Sequence, residues 1–224
     1  MRSRIRTRGT RPQPQHDDTR ARIIEAARTL FLAKGYFSTS ITDILHVAHA
    51  NTGSLYHFFA TKQDLLLAVL DSYCTGIGPM LLYPTWQGIT DPFERVFALL
   101  DRYRELLVVS DFTYGCPIGS IALELHEPDP AVRERLAANF TAWRKAVQEC
   151  FADAKLAAEV DSGHLATLVL AVMEGAVMQS RTYGHVDTFD MCIRQLRDLL
   201  EPLRQAPKRS RRSAARRSAR FSLQ

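Results

Sequence analysis

One outward-facing set of side chains within residues 52–57 has the chemistry of a surface that contacts nucleic acid. The set consists of Thr52, Gly53, Ser54, Tyr56 and His57. Helical spacing places Leu55, Phe58 and Phe59 on the opposite side. The outward set has no acid and no long flexible cation, so it can approach a phosphate backbone and reach base edges. A three-helix packing unit with an unused polar face explains the same periodicity, and the spacing alone leaves the two interpretations about even.

Cys116 is a second residue whose position suggests chemistry, because a helix is expected to begin directly after it, at Pro117. A helix N-terminus lowers the pKa of a thiol, so Cys116 is a candidate sensor of electrophiles or oxidants. Packing favours the alternative, a buried thiol that acts as a small apolar residue. A helical enzyme with a Cys116 nucleophile is the weakest interpretation, since spacing assigns no His or acid to it.

The four cysteines do not form a metal-binding pattern. They are widely spaced, with no CxxC pair and no His at ligand spacing. The sequence therefore predicts no metal, no cofactor, and a cytoplasmic protein with reduced thiols. The strongest apolar run, residues 165–173, is too short to span a membrane, and no secretory signal is indicated at the N-terminus.

Charge is distributed unevenly along the 224 residues. Five arginines precede residue 12 and seven cations follow residue 206, whereas the rest carries 17 cations against 24 acids. Basic segments with little apolar content are commonly disordered and bind nucleic acid. We interpret residues 1–18 as a flexible basic arm, which either enters a minor groove or adds only non-specific attraction. Residues 207–224 are interpreted as a disordered basic tail that is solvated or binds polyanions generically.

Cap signals delimit short helices around the outward-facing set. Ser40 and Thr61 each precede an aspartate by three residues, as in a capping box, and Asn51 is an N-cap candidate between them. Gly35 is expected to end the preceding helix, which begins at about residues 17–19. This order of helix, tight turn and helix is the helix-turn-helix arrangement, whose second helix enters the major groove. The shared core is expected to contain Ile23, Leu30, Phe31, Ile41, Ile44, Leu45, Leu55 and Phe58.

The rest of the chain also shows helical periodicity, so the predicted fold class is all-α with about nine helices. A fourth helix, roughly residues 62–73, is apolar on more than one face and is expected to pack on both sides. Later helices are expected over residues 117–125, 130–152 and 161–183. Thr188 is expected to cap the last helix.

Residues 20–70 resemble the TetR/AcrR family of bacterial transcriptional regulators, as does the order of the elements. The matching positions are Gly35-Tyr36, Thr39-Ser40, Asp43-Ile44, Gly53, Leu55-Tyr56-His57-Phe58-Phe59, Lys62 and Leu65. They correspond to the family's Gly-aromatic turn, its Thr-Ser helix start, and an aromatic recognition helix followed by a capped Lys. The later part resembles the family only in layout, except that residues 115–125 are similar to a subgroup with a Gly-Cys-Pro helix start.

Two positions depart from the family pattern. His49 stands in the turn where the family usually has glycine, and a left-handed conformation there has some steric cost. Thr52 stands where the family often has Lys, which removes one charge contact. These departures motivate a further alternative, an interaction module that has lost sequence-specific DNA binding.

The resemblance implies that residues 19–64 form a domain that binds double-stranded operator DNA. Tyr56 and His57 are expected to be the leading contacts, and Thr39, Ser40 and Lys62 to hold phosphates. The complete predicted DNA-binding set is Thr39, Ser40, Asn51, Thr52, Gly53, Ser54, Tyr56, His57 and Lys62.

The resemblance further implies that residues 65–206 bind a small molecule and form a homodimer through the last two helices. The predicted cavity residues are Tyr83, Trp86, Phe97, Tyr103, Phe112, Tyr114, Cys116, Phe140, Trp143, Met173, Glu174 and Met178. Many are aromatic, which indicates an apolar or aromatic ligand. Glu174, an acid in an otherwise apolar stretch, is expected either to bind a ligand hydroxyl or amine, or to pair across the dimer interface.

The sequence and the resemblance together predict a ligand-responsive transcriptional regulator that is not an enzyme. It is expected to repress by binding a palindromic operator as a dimer, with recognition helices about 34–36 Å apart, and to leave DNA when an inducer binds. Thiol-based sensing through Cys116 is the main alternative function.

Overall fold

The computed structural model describes residues 14–154, 156 and 160–204. Across these residues the chain forms ten α-helices and no β-strand, which confirms the predicted all-α fold. The helices are α1 (Pro14–Lys34), α2 (Ile41–Ala48), α3 (Thr52–Phe58), α4 (Lys62–Ile77), α5 (Tyr83–Trp86), α6 (Pro92–Val109), α7 (Pro117–Glu124), α8 (Pro130–Asp153), α9 (Ser162–Tyr183) and α10 (Asp187–Leu200). A π-helical turn, Gly78–Leu82, joins α4 to α5, and a 3-10 turn, Glu201–Leu203, follows α10.

The caps of α2, α3 and α4 are the predicted ones. Ser40 and Thr61 each complete a capping box with the aspartate three residues on. Asn51 caps α3, since its Oδ1 accepts a hydrogen bond from the Ser54 N–H at 2.8 Å. Gly35 ends α1 with φ +87°, a backbone conformation that glycine adopts readily and that residues with a Cβ rarely adopt.

Two predicted boundaries differ from the structure. Helix α1 begins at Pro14, earlier than the predicted start at residues 17–19, and proline is favourable in a first helical turn. Helix α10 begins at Asp187 with Val186 as its N-cap, so Thr188 lies inside the helix and is not the cap. The acids Asp187 and Asp190 in the first turn interact favourably with the helix dipole without a side-chain cap. The predicted basic ends lie outside the described residues, apart from residues 14–18 at the start of α1.

Helix α4 is covered on two sides, as its sequence predicted. It packs against α1 and against α8. Leu65, Leu66, Val69 and Leu70 are all buried along it. The remaining long helices pack as neighbours, with α9 between α8 and α10, and α6 against all three.

By length and composition, one stretch of the described residues, Lys62–Trp86, would suffice to cross a membrane. A core helix of a soluble protein meets the same criterion, so the finding is weak evidence for a membrane span. The burial of Leu65, Leu66 and Leu70 in a helix packed against α1 and α8 accounts for part of this apolar composition.

Candidate nucleic-acid interface and ligand cavity

Helix α3 is amphipathic in the way that its spacing predicts. Leu55 is fully buried, whereas Tyr56 is 53 % exposed and His57 is also exposed. At the N-terminal end of the helix Asn51, Thr52 and Gly53 are exposed, and Ser54 is partly buried. Six of the nine predicted DNA-binding residues therefore lie together on or beside α3, and five of these six are exposed.

The turn between α2 and α3 forms without glycine. His49 has φ 49° and ψ 46°, the left-handed conformation expected where the family pattern has glycine. Its N–H donates to the carbonyl of His46, and the N–H of Ala50 donates to that of Leu45. These bonds satisfy carbonyls at the end of α2 and set the direction in which α3 begins.

Thr39 does not lie on the predicted DNA-binding face. Its side chain is 1 % exposed, and its hydroxyl donates to the carbonyl of Gly35 at 2.7 Å and to that of Leu30 at 3.3 Å. Thr39 therefore ties the end of α1 to the start of α2 and is not placed to contact a phosphate.

Ser40 is exposed at the start of α2, where its N–H and its hydroxyl oxygen take part in the capping box. Its backbone N–H donates to Asp43, and its hydroxyl accepts from the Asp43 N–H. The hydrogen bonds from Ser40 lower the pKa of the Asp43 carboxyl, so a negative charge occupies this helix start. Such a charge opposes a phosphate at the same place, contrary to the role predicted for Ser40.

Lys62 points back into the protein. Its Nζ donates to the Tyr36 carbonyl at 2.6 Å and lies 4.4 Å from the centre of the Tyr36 ring. Burial lowers the pKa of Lys62, and the charge of Glu124 opposes that shift. In this conformation Lys62 holds the turn between α1 and α2 instead of presenting its charge to a phosphate.

The sequence interpretation missed Glu124, the last residue of α7. Its carboxylate accepts the Tyr36 N–H at 2.6 Å, across 88 residues of sequence. Gly35 permits this approach, because a Cβ at that position would lie 1.8 Å from the Glu124 Oε1. Helix α7 therefore contacts the turn between α1 and α2, and no sequence signal at Glu124 indicates this contact.

A cavity of about 200 Å³ lies among α4, α6, α8 and α9, closed by the segment before α7. Six of the twelve predicted ligand residues line it: Tyr103, Tyr114, Cys116, Phe140, Trp143 and Glu174. Tyr73, Asn139 and Leu170 also line it and were missed, because an apolar or amide residue in a helix has no local mark of lining a cavity.

A second, more open cavity of about 560 Å³ lies between α7 and α9. Phe112 and Met178 from the predicted set line this cavity. Cys116, Phe140 and Glu174 line both cavities, so the two are adjacent.

Four predicted ligand residues line neither cavity. Tyr83 is 69 % exposed, and the Trp86 indole donates to the Arg95 carbonyl at 2.9 Å. Phe97 is buried beneath the Arg197 guanidinium, 3.9 Å from its ring centre, and Met173 is fully buried in the core. Packing therefore explains the aromatic or apolar type of Trp86, Phe97 and Met173, whereas Tyr83 lies mostly in solvent.

The environment of Cys116 opposes the acidic-thiol interpretation, the one that packing had already disfavoured. Cys116 precedes α7, but it is buried, and burial raises the pKa of its thiol far above the ordinary value. The nearby Glu174 carboxyl raises this pKa further, and backbone N–H groups at the helix start lower it by less. The buried-thiol interpretation is therefore the one that the structure favours.

The chain is similar to known regulators along most of its length. Residues 23–69 match the family described as bacterial regulatory proteins, TetR family, and residues 92–195 match the C-terminal domain of LmrA/YxaF-like transcriptional regulators. The HTH-type transcriptional regulator Rv0196 of Mycobacterium tuberculosis is 31 % identical over 198 residues, covering 86 % of this chain and 98 % of that protein.

Solved structures of TetR regulators have the same fold. One from Chloroflexus aurantiacus superposes with a TM-score of 0.73 at 28 % identity, covering 87 % of this chain and 100 % of that one. Another, from Rhodobacter sphaeroides, has a TM-score of 0.71 at 25 % identity, covering 80 % and 96 % of the two chains.

Proposed function

The chain belongs to the TetR family of DNA-binding transcriptional regulators, and we propose that it is a ligand-released repressor. In this proposal a cytoplasmic homodimer binds a palindromic operator and dissociates when a small molecule occupies the larger domain. The observation that carries it is the exposed polar face of α3, fixed by the buried Leu55 behind it.

This face has the shape and chemistry that major-groove recognition requires. Tyr56 and His57 offer a hydroxyl and ring nitrogens for phosphates or base edges. Gly53 and Thr52 keep the N-terminal turn of α3 narrow, which permits close approach to the bases. The left-handed His49 sets the angle at which α3 leaves the turn.

Dimerisation through α9 and α10 is supported by exposed apolar side chains along these helices. Leu168 and Met178 on α9, and Met191 and Leu199 on α10, are each at least 43 % exposed. Exposed apolar residues grouped on neighbouring helices are typical of an oligomer interface. A two-fold axis there presents two α3 helices to a palindrome.

Release by a ligand requires that the cavity and the DNA-binding helices share elements. Tyr73, Gly76 and Ile77 of α4 line the smaller cavity, and α4 also packs against α1. We propose that ligand binding shifts α4 and so changes the separation of the two α3 helices from about 34–36 Å.

Fluorescence anisotropy with the DNA upstream of the protein's own gene tests this function. We expect a palindromic segment to be preferred over scrambled DNA as salt rises, because base contacts survive screening that weakens phosphate contacts. Tyr56→Ala should lower operator affinity at least tenfold, whereas the control Tyr83→Ala, on an exposed residue of α5, should not. Equal affinity for operator and scrambled DNA at 200 mM salt would instead support the interaction-module alternative.

A further inference from the structure

Two buried polar atoms on residues that line the smaller cavity have no hydrogen-bond partner. The described residues contain three buried side-chain polar atoms in this state: Trp143 Nε1, Glu174 Oε1 and Ser180 Oγ. Trp143 and Glu174 both line the cavity of about 200 Å³. Buried polar atoms are nearly always paired, so two unpaired ones around one cavity indicate a bound polar group.

Each of the two residues has one polar neighbour within the protein, Tyr103 beside Trp143 and the Cys116 thiol beside Glu174. Trp143 is 4 % exposed. Its N–H partly opposes the rise that burial causes in the pKa of Tyr103, but it forms no well-aligned hydrogen bond. The Glu174 carboxyl packs against α7 with Oε2 nearer than Oε1, since a Cβ on Gly119 would meet Oε2 first and would lie 3.1 Å from Oε1. No lysine, arginine or histidine lines this cavity to pair with the Glu174 carboxyl.

The two atoms require different partners. An indole N–H is only a donor, so it needs an acceptor, whereas a carboxyl oxygen accepts a donor. An ammonium group has donors alone and would leave Trp143 unpaired. A carboxylate has acceptors alone, and burying its charge in a cavity lined by no lysine, arginine or histidine is unfavourable. A hydroxyl group both accepts and donates, so one hydroxyl can serve both residues.

We propose that this cavity binds an uncharged, single-ring molecule whose hydroxyl group bridges Trp143 Nε1 and Glu174 Oε1. The inference rests on the proposed function, in which this cavity is the inducer site. The cavity is smaller than the roughly 300–1,000 Å³ of sites for drug-sized ligands, which limits the ligand to about one ring. Phe140, Tyr114 and Leu170 supply the aromatic and apolar walls around that ring.

Burial supports an uncharged ligand over an ammonium one. It raises the pKa of Glu174, and contact with the Cys116 thiol only partly opposes this rise. The carboxyl therefore holds its proton more readily than an exposed glutamate does, and the cavity offers a cation less charge to pair with.

Isothermal titration of the full-length protein with four matched probes tests this inference. The probes are 4-methylphenol, toluene, 4-methylbenzylamine and 4-methylbenzoate, which differ in the polar group alone. We expect 4-methylphenol to bind at least tenfold more tightly than toluene, and the two charged probes to bind more weakly than 4-methylphenol. In Trp143→Phe the preference for 4-methylphenol over toluene should fall at least fivefold, while Tyr83→Phe should retain it.

Glu174→Leu is a second variant with the same expectation, and it keeps the test decisive if Trp143→Phe does not fold. Equal binding of toluene and 4-methylphenol, tighter binding of the amine, or no binding of any probe would each overturn the inference. Operator affinity is measured separately by anisotropy. Operator binding without probe binding refutes the hydroxyl site and leaves DNA binding intact, whereas probe binding without operator release refutes the proposed induction and leaves the site intact.

Discussion

Removal of the Glu124 carboxylate should loosen the DNA-binding helices from α7. In Glu124→Ala the Tyr36 N–H loses the acceptor that lies 2.6 Å away, and Lys62 loses a nearby opposite charge. A hydrogen bond to a charged group contributes about 1.5–3 kcal/mol, and the partial exposure of these groups reduces this to about 1–2 kcal/mol. That difference raises the population of the undocked turn roughly 5- to 30-fold.

Amide hydrogen exchange measured by NMR reports this population directly. The Tyr36 amide should exchange roughly 5- to 30-fold faster in Glu124→Ala, whereas amides in the middle of α9 should keep their rates. Glu127→Ala, which removes a neighbouring exposed carboxylate, is the matched control and should leave Tyr36 unchanged. A Tyr36 exchange rate within twofold of the wild type in Glu124→Ala would refute the reasoning.

The same variant tests whether α7 carries the ligand signal. The eight residues of α7 span about 12 Å, from Cys116 and Gly119 at the cavities to Glu124 at the α1–α2 turn. If α7 transmits ligand binding, Glu124→Ala should bind inducer normally but release operator less completely. Unchanged release in anisotropy titrations would leave α4 as the route of coupling.

Three further outcomes are expected. His49→Gly should stabilise the protein by about 1 kcal/mol in urea unfolding, because glycine adopts a φ of 49° without the steric cost that His bears. A destabilised variant would contradict this. Iodoacetamide at pH 8 should alkylate Cys116 far more slowly than the partly exposed Cys192, as measured by peptide mass spectrometry. The reason is that burial raises the pKa of Cys116 and so lowers its thiolate fraction. Fast labelling of Cys116 would restore the thiol-sensor alternative. Leu199→Glu should convert the proposed dimer to monomer in sedimentation velocity, whereas Val109→Glu, on a still more exposed residue at the end of α6, should not. Two dimeric variants would exclude α10 from the interface.

Much of the helical pattern follows from short stretches of sequence. The caps at Ser40, Asn51 and Thr61 bond to backbone N–H groups three residues away, so the sequence alone predicts them. The start of α10 was missed although its signals are also local. A capping residue and acids in the first turn both favour a helix start, and the adjacent Asp187 and Thr188 offer one signal each. The outward face of α3 was predictable because the 3.6-residue period separates Tyr56 from the buried Leu55.

The roles of individual site residues depend on partners that are distant in sequence. The roles predicted for Thr39 and Cys116 rest on their positions at helix starts, where a phosphate or a thiolate is favourable, and the role predicted for Lys62 rests on its charge. In the folded chain Thr39 bonds to Leu30, Lys62 bonds to Tyr36, and Cys116 is buried against Glu174. Hydrogen bonding and desolvation by these tertiary contacts outweigh the weaker effect of a helix terminus.

The sequence by itself determined that the chain is an all-helical protein with an exposed polar recognition helix, because helix formation and amphipathicity depend on near neighbours. Only the tertiary structure decided which aromatic residues surround a cavity, which polar atoms stay unpaired there, and that Glu124 reaches Tyr36. These features depend on which helices lie side by side, and that arrangement results from packing across the whole core.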